Sequence, residues 1–174
     1  METSNDDERM EIADMNQMEE SKFMMTFGNV VEKCPEAATY LLTHRPYVNA
    51  NEVLSSLERF FHSLSSEDKT KILYLYPDLT ATDKDMTKES LDEHIKSGLT
   101  KLPEHTRSSF SELNTLYRDK FGFPFIMCVT GNDPETILSS LQKRLRNDVE
   151  SEVNADLHEV KKISRIRLSN LIAF

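Results

Sequence analysis

Residues 121–129 read Phe121-Gly122-Phe123-Pro124-Phe125-Ile126-Met127-Cys128-Val129. Gly122 and Pro124 interrupt the helical pattern before them, because proline lacks the N–H a helix needs and clashes with the preceding turn. Three phenylalanines in five residues demand burial. The chain is therefore expected to leave its helix here and run extended and buried over 123–130. Backbone N–H groups in such a stretch have no intrahelical partner and must bond elsewhere. Two readings fit: a core crossover, and a ligand cradle built from main-chain donors.

Outward from this segment the sequence reads as helix. Only four glycines and six prolines punctuate 174 residues, which favours long helices over a turn-rich sheet. Helical periodicity is read near 17–32, 36–44, 50–63, 66–75, 87–98, 103–120, 134–146 and 149–172. Asp133-Pro134 is a good helix start, since Asp can cap and Pro suits the first helical position. Pro77 closes the fourth helix and pushes Tyr76 out of the α region. The expected fold is all-α: a single-domain bundle of about eight helices with one buried extended segment near 123–130.

The formal net charge is −9, with 38% hydrophobic and 29% charged residues, a balance that suits a soluble globular chain. The acidity is concentrated at the start, where residues 1–20 hold eight acidic groups against one arginine. Residues 1–15 are read as an acidic mobile tail and 16–174 as the folded body. No basic stripe interleaved with aromatics suggests nucleic acid, and no apolar run reaches membrane-spanning length. The two cysteines, Cys34 and Cys128, form no metal motif or disulfide framework. They are read as buried thiols in a reducing compartment, and no metal is expected.

Two constellations could carry chemistry. Ser90, Glu93 and His94 stand at i, i+3 and i+4 and so share one helix face. Such a trio is either a solvated face or a set that handles protons. On the last helix Val153, Leu157, Val160, Ile163, Leu168 and Leu171 form an apolar stripe, and Arg167 falls within roughly 40° of its centre. A guanidinium there must find a polar or anionic partner. It serves either a structural ion pair, with Glu93 as one candidate, or an anionic substrate.

A series of short motifs in order extends the reading. They are Phe27-Gly28-Asn29-Val30-Val31-Glu32-Lys33-Cys34-Pro35, Arg45-Pro46, Pro77-Asp78-Leu79, Glu89-Ser90 with Glu93, Leu113-Asn114, the 121–125 block, and Glu159-Val160-Lys161-Lys162-Ile163 with Arg167-Leu168. The series resembles the 2-oxo-4-hydroxy-4-carboxy-5-ureidoimidazoline (OHCU) decarboxylase family over roughly residues 20–172. The resemblance implies a carboxy-lyase of urate catabolism that converts the ureidoimidazoline to (S)-allantoin without a cofactor. It implies that Ser90 and Arg167 bind substrate, that Glu93 takes part in catalysis, and that the backbone of Phe125, Ile126, Met127 and Cys128 bonds the flat polar ring. Pro77 is carried over as a further substrate-binding position, and His94 stands where the family has glutamine. Family members are homodimers, and some end in a peroxisomal tripeptide. This chain ends Ile172-Ala173-Phe174, so cytoplasm is the expected location.

One departure matters most. The family motif begins His-Pro-Asp-Leu, and that histidine is its central catalytic group; here the position is Tyr76. An unperturbed imidazole titrates at about 6.5 and a phenol at about 10. Two outcomes follow. Either His94 becomes the titrating group with Tyr76 as hydrogen-bond donor, or catalysis is lost and the fold persists as a pseudoenzyme that binds a purine-derived ligand or a protein. A purely structural helical module is the third reading, and it leaves Arg167 in mid-stripe unexplained.

Overall fold

The computed structural model describes residues 9–81 and 83–174. Among them are nine α-helices: α1 (Ile12–Gln17), α2 (Glu20–Phe27), α3 (Pro35–Thr43), α4 (Ala50–Ser63), α5 (Ser66–Leu73), α6 (Lys88–Lys96), α7 (Glu104–Phe121), α8 (Pro134–Arg144) and α9 (Val149–Leu171). The only β-pairing among the described residues is an isolated bridge between Met10 and Ile172. The all-α expectation holds. No helix among these residues is long and apolar enough to cross a membrane.

The expected first helix, 17–32, is shorter, α2 covering Glu20–Phe27, and a separate helix, α1, precedes it and shares only Gln17 with the expected range. Met18 and Glu19 adopt extended backbone between α1 and α2, and the Glu19 carboxylate accepts from the N–H groups of Ser21 and Lys22. Aspartate and asparagine are the favoured N-caps, but a glutamate that folds back satisfies the same orphan donors. The sequence reading missed this because periodicity runs through the break. The other caps follow their residues. Asp133 accepts from the Thr136 N–H at 2.8 Å with Pro134 in the first turn of α8. Asn49 accepts from the Glu52 N–H, and Glu52 returns the favour to the Val48 N–H at 2.7 Å.

The chain forms two compact units. Residues up to Ser65 join Ile163–Phe174 in one, and Ser66–Lys162 make the other. The first unit has its core on α2, α3 and α4, whose buried residues include Phe23, Phe27, Ala37, Leu41, Val53, Leu57 and Phe61. The α4 pattern of Val53, Leu57, Phe60 and Phe61 is the i, i+4, i+7, i+8 stripe that buries one helix face. In this unit Met15 is fully buried, Met10 bonds through its backbone to Leu171 and Ala173, and Arg45 Nη1 donates to the carbonyls of Met15 and Met18. The expected tail boundary at residue 15 therefore falls inside α1, and residues 10–15 pack as part of the unit. The expectation for residues 1–8 lies outside the described residues.

The second unit is built around aromatic rings. Tyr117 of α7 meets Phe121, Phe123 and Phe125 with ring centroids at 4.5, 6.1 and 5.4 Å. Gly122 ends α7 in the left-handed region at φ 84°, donating its N–H to the Arg118 carbonyl at 2.8 Å. From there the chain is non-helical to Asp133, with Phe123, Phe125, Ile126, Cys128 and Val129 buried. The buried extended segment is thus present where the Phe-Gly-Phe-Pro-Phe block placed it.

Candidate functional site

Most of the candidate residues lie in the second unit. Helix α6 carries three of them. Its N-cap is Thr87, whose hydroxyl accepts from the Ser90 N–H at 3.3 Å. Ser90 and His94 are 2% and 5% exposed, so this helix face is not solvated. The His94 Nδ1 lies 2.7 Å from the Ser90 carbonyl oxygen. A carbonyl only accepts, so Nδ1 carries a proton, and Nε2 is itself buried. The imidazole contributes to the wall of a cavity of about 530 Å³ that also has Leu79, Leu99, Thr100, Lys84 and Arg107 around it. Two cationic side chains beside an imidazole make that cavity suited to an anion.

Tyr76 is 6% exposed and Pro77 half-buried, in the turn after α5. Asp78, next in line, accepts from Arg118 of α7 at 2.8 Å, which ties this turn to the helix that leads into the extended segment. Glu93 is half-buried. Burial first, and then the negative charges of Glu159 and Glu93, push the Cys128 thiol up. Cys34 is likewise pushed up, to about 11, chiefly by burial. Both cysteines are free buried thiols held protonated, as read from their scattering in the sequence.

The extended segment is gripped along one edge by α9. The Ile126 N–H donates to Asp156 Oδ1 at 2.9 Å, and the Cys128 N–H to Glu159 Oε2 at 3.4 Å. Arg144 Nη1 donates to the Ile126 carbonyl at 2.7 Å. Two of the donors expected to be free for a ligand are therefore engaged within the protein. The Met127 N–H between them has no protein acceptor among the described residues, and Met127 is half-buried. Successive residues of an extended chain face opposite sides, so a ligand edge on this stretch narrows to the side shared by Phe125 and Met127.

Behind the grip lies a buried ionic cluster. Arg144 Nη2 meets Glu152 Oε2 at 2.7 Å and also Asp156; the Tyr117 hydroxyl donates to Glu152 at 2.7 Å, and Asn147 to the other Glu152 oxygen at 2.9 Å. Glu152 and Asp156 are 0% exposed. Burial pushes the Asp156 carboxyl up to about 7, against the opposing pull of Arg144 and the Ile126 N–H. Burial likewise drives the Tyr117 phenol far up, so it donates and does not ionise. The sequence reading passed over Arg144, Glu152 and Asp156. Their signal was present: Glu152 and Asp156 stand at i and i+4 on the face that continues through Val160 and Ile163, and a search for apolar residues alone skips them.

Arg167 belongs to the first unit. It is 4% exposed, as its place in the stripe required. Its Nη2 meets Glu32 Oε2 at 2.9 Å and its Nη1 donates to the Asn29 carbonyl at 2.9 Å. The sequence offered Glu93 as an ion-pair candidate; the carboxylate found is Glu32, which is 0% exposed.

The family model described as OHCU decarboxylase matches residues 16–169. A 2-oxo-4-hydroxy-4-carboxy-5-ureidoimidazoline decarboxylase of Amia calva is 36% identical, covering 94% of this chain and 95% of that one. The protein of the same name from Mus musculus is also 36% identical, covering 94% and 93%. A crystal structure of (S)-allantoin synthase shares the fold with a TM-score of 0.74 at 22% identity, over 93% of this chain and 54% of that one.

Proposed function

Because the chain belongs to the OHCU decarboxylase family, we propose that it removes the carboxylate of 2-oxo-4-hydroxy-4-carboxy-5-ureidoimidazoline and releases carbon dioxide and (S)-allantoin. The bond between the ring carbon and its carboxylate breaks, and the electron pair stays on the ring carbon. The conjugated carbonyl and imine-type system of the substrate receives that pair, so the chemistry calls for no cofactor. The hydroxyl on that carbon then loses its proton and becomes the ring carbonyl, and a proton is added to the neighbouring ureido-bearing carbon, which becomes the stereocentre of the product. The protein's work is to desolvate the carboxylate, hold the ring, stabilise the enolate-like charge and deliver the proton to one face.

The observation that carries this reading is the buried Ser90–His94 contact. With Nδ1 held to the Ser90 carbonyl, the imidazole has a fixed orientation and Nε2 is the atom that takes and gives a proton. His94 is the proton donor in this proposal. Glu93, one residue away, orients the substrate hydroxyl. Tyr76 supplies a hydrogen bond through its phenol, not a titrating group. Ser90 and Pro77 help hold the substrate, Phe125 packs on the ring, and the Met127 N–H bonds its edge. Ile126 and Cys128 shape that edge, their own N–H groups being bonded to α9 carboxylates. Arg167 is kept as the anion-binding group on the resemblance alone. A homodimer and a cytoplasmic location complete the proposal, and sedimentation equilibrium checks the first.

Freshly generated ureidoimidazoline, mixed with the purified chain and followed by circular dichroism, tests the reading. Accumulation of (S)-allantoin faster than the spontaneous decay of the substrate is the expected result. A trace indistinguishable from the enzyme-free control overturns it and leaves the binding-protein reading in its place.

A further inference from the structure

The cluster of Arg144, Glu152, Asp156 and Tyr117 has no part in the chemistry just described. We propose that Asp156 and Arg144 are positioning residues for the decarboxylation: together they hold the Ile126 peptide so that the next peptide edge, at Met127, is presented to the substrate. This rests on the decarboxylase reading and adds to it the residues that set the substrate-binding edge.

The geometry fixes the two peptide planes that flank the Ile126 Cα. The 125–126 plane gives its N–H to Asp156 Oδ1 at 2.9 Å, and the 126–127 plane, which carries the Met127 N–H, gives its C=O to Arg144 Nη1 at 2.7 Å. Arg144 also bonds Asp156 itself, so the two side chains and residue 126 form a closed ring of contacts. Two residues on, Glu159 takes the Cys128 N–H at 3.4 Å. The carboxylates at 156 and 159, one helical turn apart, thus occupy the place a neighbouring strand would fill. With positions 126 and 128 facing α9, position 127 faces the opposite side. Rotation of the 126 peptide would turn the Met127 N–H with it.

A second layer holds the first. Glu152 receives Arg144 through Nε at 2.9 Å and Nη2 at 2.7 Å, a forked contact that fixes the guanidinium plane. Tyr117 bonds the same carboxylate at 2.7 Å while its ring lies 5.4 Å from that of Phe125. Residues 125 and 126 are therefore located by one connected network.

A plain crossover would not call for this. Buried charges are costly to desolvate, and apolar residues of like volume usually hold a core as well or better. Here Asp156 Oδ2 is buried without a hydrogen-bond partner among the described residues, a further cost. What the ionic set supplies, and apolar packing does not, is a fixed direction for main-chain donors.

Steady-state kinetics on the full chain with freshly generated ureidoimidazoline test the proposal, using Asp156→Leu and Asp156→Asn beside the wild type. Asparagine keeps an acceptor for the Ile126 N–H; leucine does not. Asp156→Leu is expected to lose ~10–100-fold in kcat/KM at a temperature where circular dichroism shows it folded, the range typical of supporting-shell residues. Asp156→Asn is expected to stay near wild type. A folded Asp156→Leu with wild-type kcat/KM overturns the proposal, as does an equal loss in both variants, which would assign the effect to charge. If Asp156→Leu does not fold, Arg144→Lys decides: it keeps a cation but releases the Ile126 carbonyl. A raised KM in folded Arg144→Lys supports the proposal, and an unchanged KM overturns it. A wild type with no activity is a different failure, that of the decarboxylase reading itself.

Discussion

Arg167 and Glu32, 135 positions apart, form a buried ion pair with Nη2 and Oε2 2.9 Å apart. Neither side chain is more than 4% exposed. Arg167 also bonds the Asn29 carbonyl, so it ties the Asn29–Glu32 turn, part of the Phe27–Pro35 motif, to the C-terminal half of α9.

Arg167→Ala is expected to destabilise the protein by about 3–5 kcal/mol, because it removes the guanidinium that the buried Glu32 carboxylate meets at 2.9 Å. Urea denaturation measures the loss. The double variant Glu32→Gln/Arg167→Met should cost less than Arg167→Ala alone, since neither buried charge remains. A double variant less stable than the single would contradict the pairing argument.

The start of the chain should divide at the first described residues. Removing residues 1–8, which are rich in acid and carry only Met1 as an apolar side chain, is expected to leave Tm nearly unchanged. Removing residues 1–15 should lower it by many degrees. That cut takes away buried Met15 and the backbone bonds of Met10, and loss of one buried methionine side chain alone costs about 2–5 kcal/mol. Thermal melts of the two truncations make the comparison.

Stability should depend on pH through Asp156. Its carboxyl is raised from 3.8 to about 7 by burial, so the folded state binds the proton more tightly than the unfolded chain does. Such a group stabilises most below its unfolded value, loses that contribution as pH rises through about 7, and is flat above. The groups facing it are Arg144, the Ile126 N–H and, through Arg144, Glu152 and Tyr117. Urea midpoints between pH 4.5 and 8 should therefore fall with rising pH in the wild type relative to Asp156→Asn. Parallel curves for the two proteins would remove Asp156 as the cause.

The proton donor is open to direct test. His94→Gln is expected to lower kcat by ~10²–10⁴, the usual worth of a positioned acid or base. Tyr76→His should raise activity by restoring a second imidazole. Unchanged activity in His94→Gln would show that the imidazole is not the proton donor, whatever Tyr76→His does.

The sequence by itself determined the features that depend on neighbours in the chain. Glycine and proline stop a helix wherever they stand, so Gly122 and Pro124 marked the exit from α7. Asp133-Pro134 marked the start of α8 through an N–H only three residues away. Helical periodicity put Arg167 on the buried face before any partner was known. The order of short motifs likewise sufficed to identify the family, because such motifs are local strings. The break between α1 and α2 was missed, since its cap is a glutamate and glutamate is also an ordinary helix former.

Only the tertiary structure decided which polar groups meet. The Ile126 N–H finds Asp156 30 residues on, Tyr117 finds Glu152 across 35, and Arg167 finds Glu32 across 135. No local rule ranks these carboxylates above Glu93 or Glu159, because each is a short-range contact set by how helices pack. For the same reason the sequence could show that residues 125–128 would offer main-chain donors, but not that α9 would claim Ile126 and Cys128 and leave Phe125 and Met127. The choice belongs to the strand's two-residue alternation set against the turn of a particular neighbouring helix, and that neighbour is known only in the folded chain.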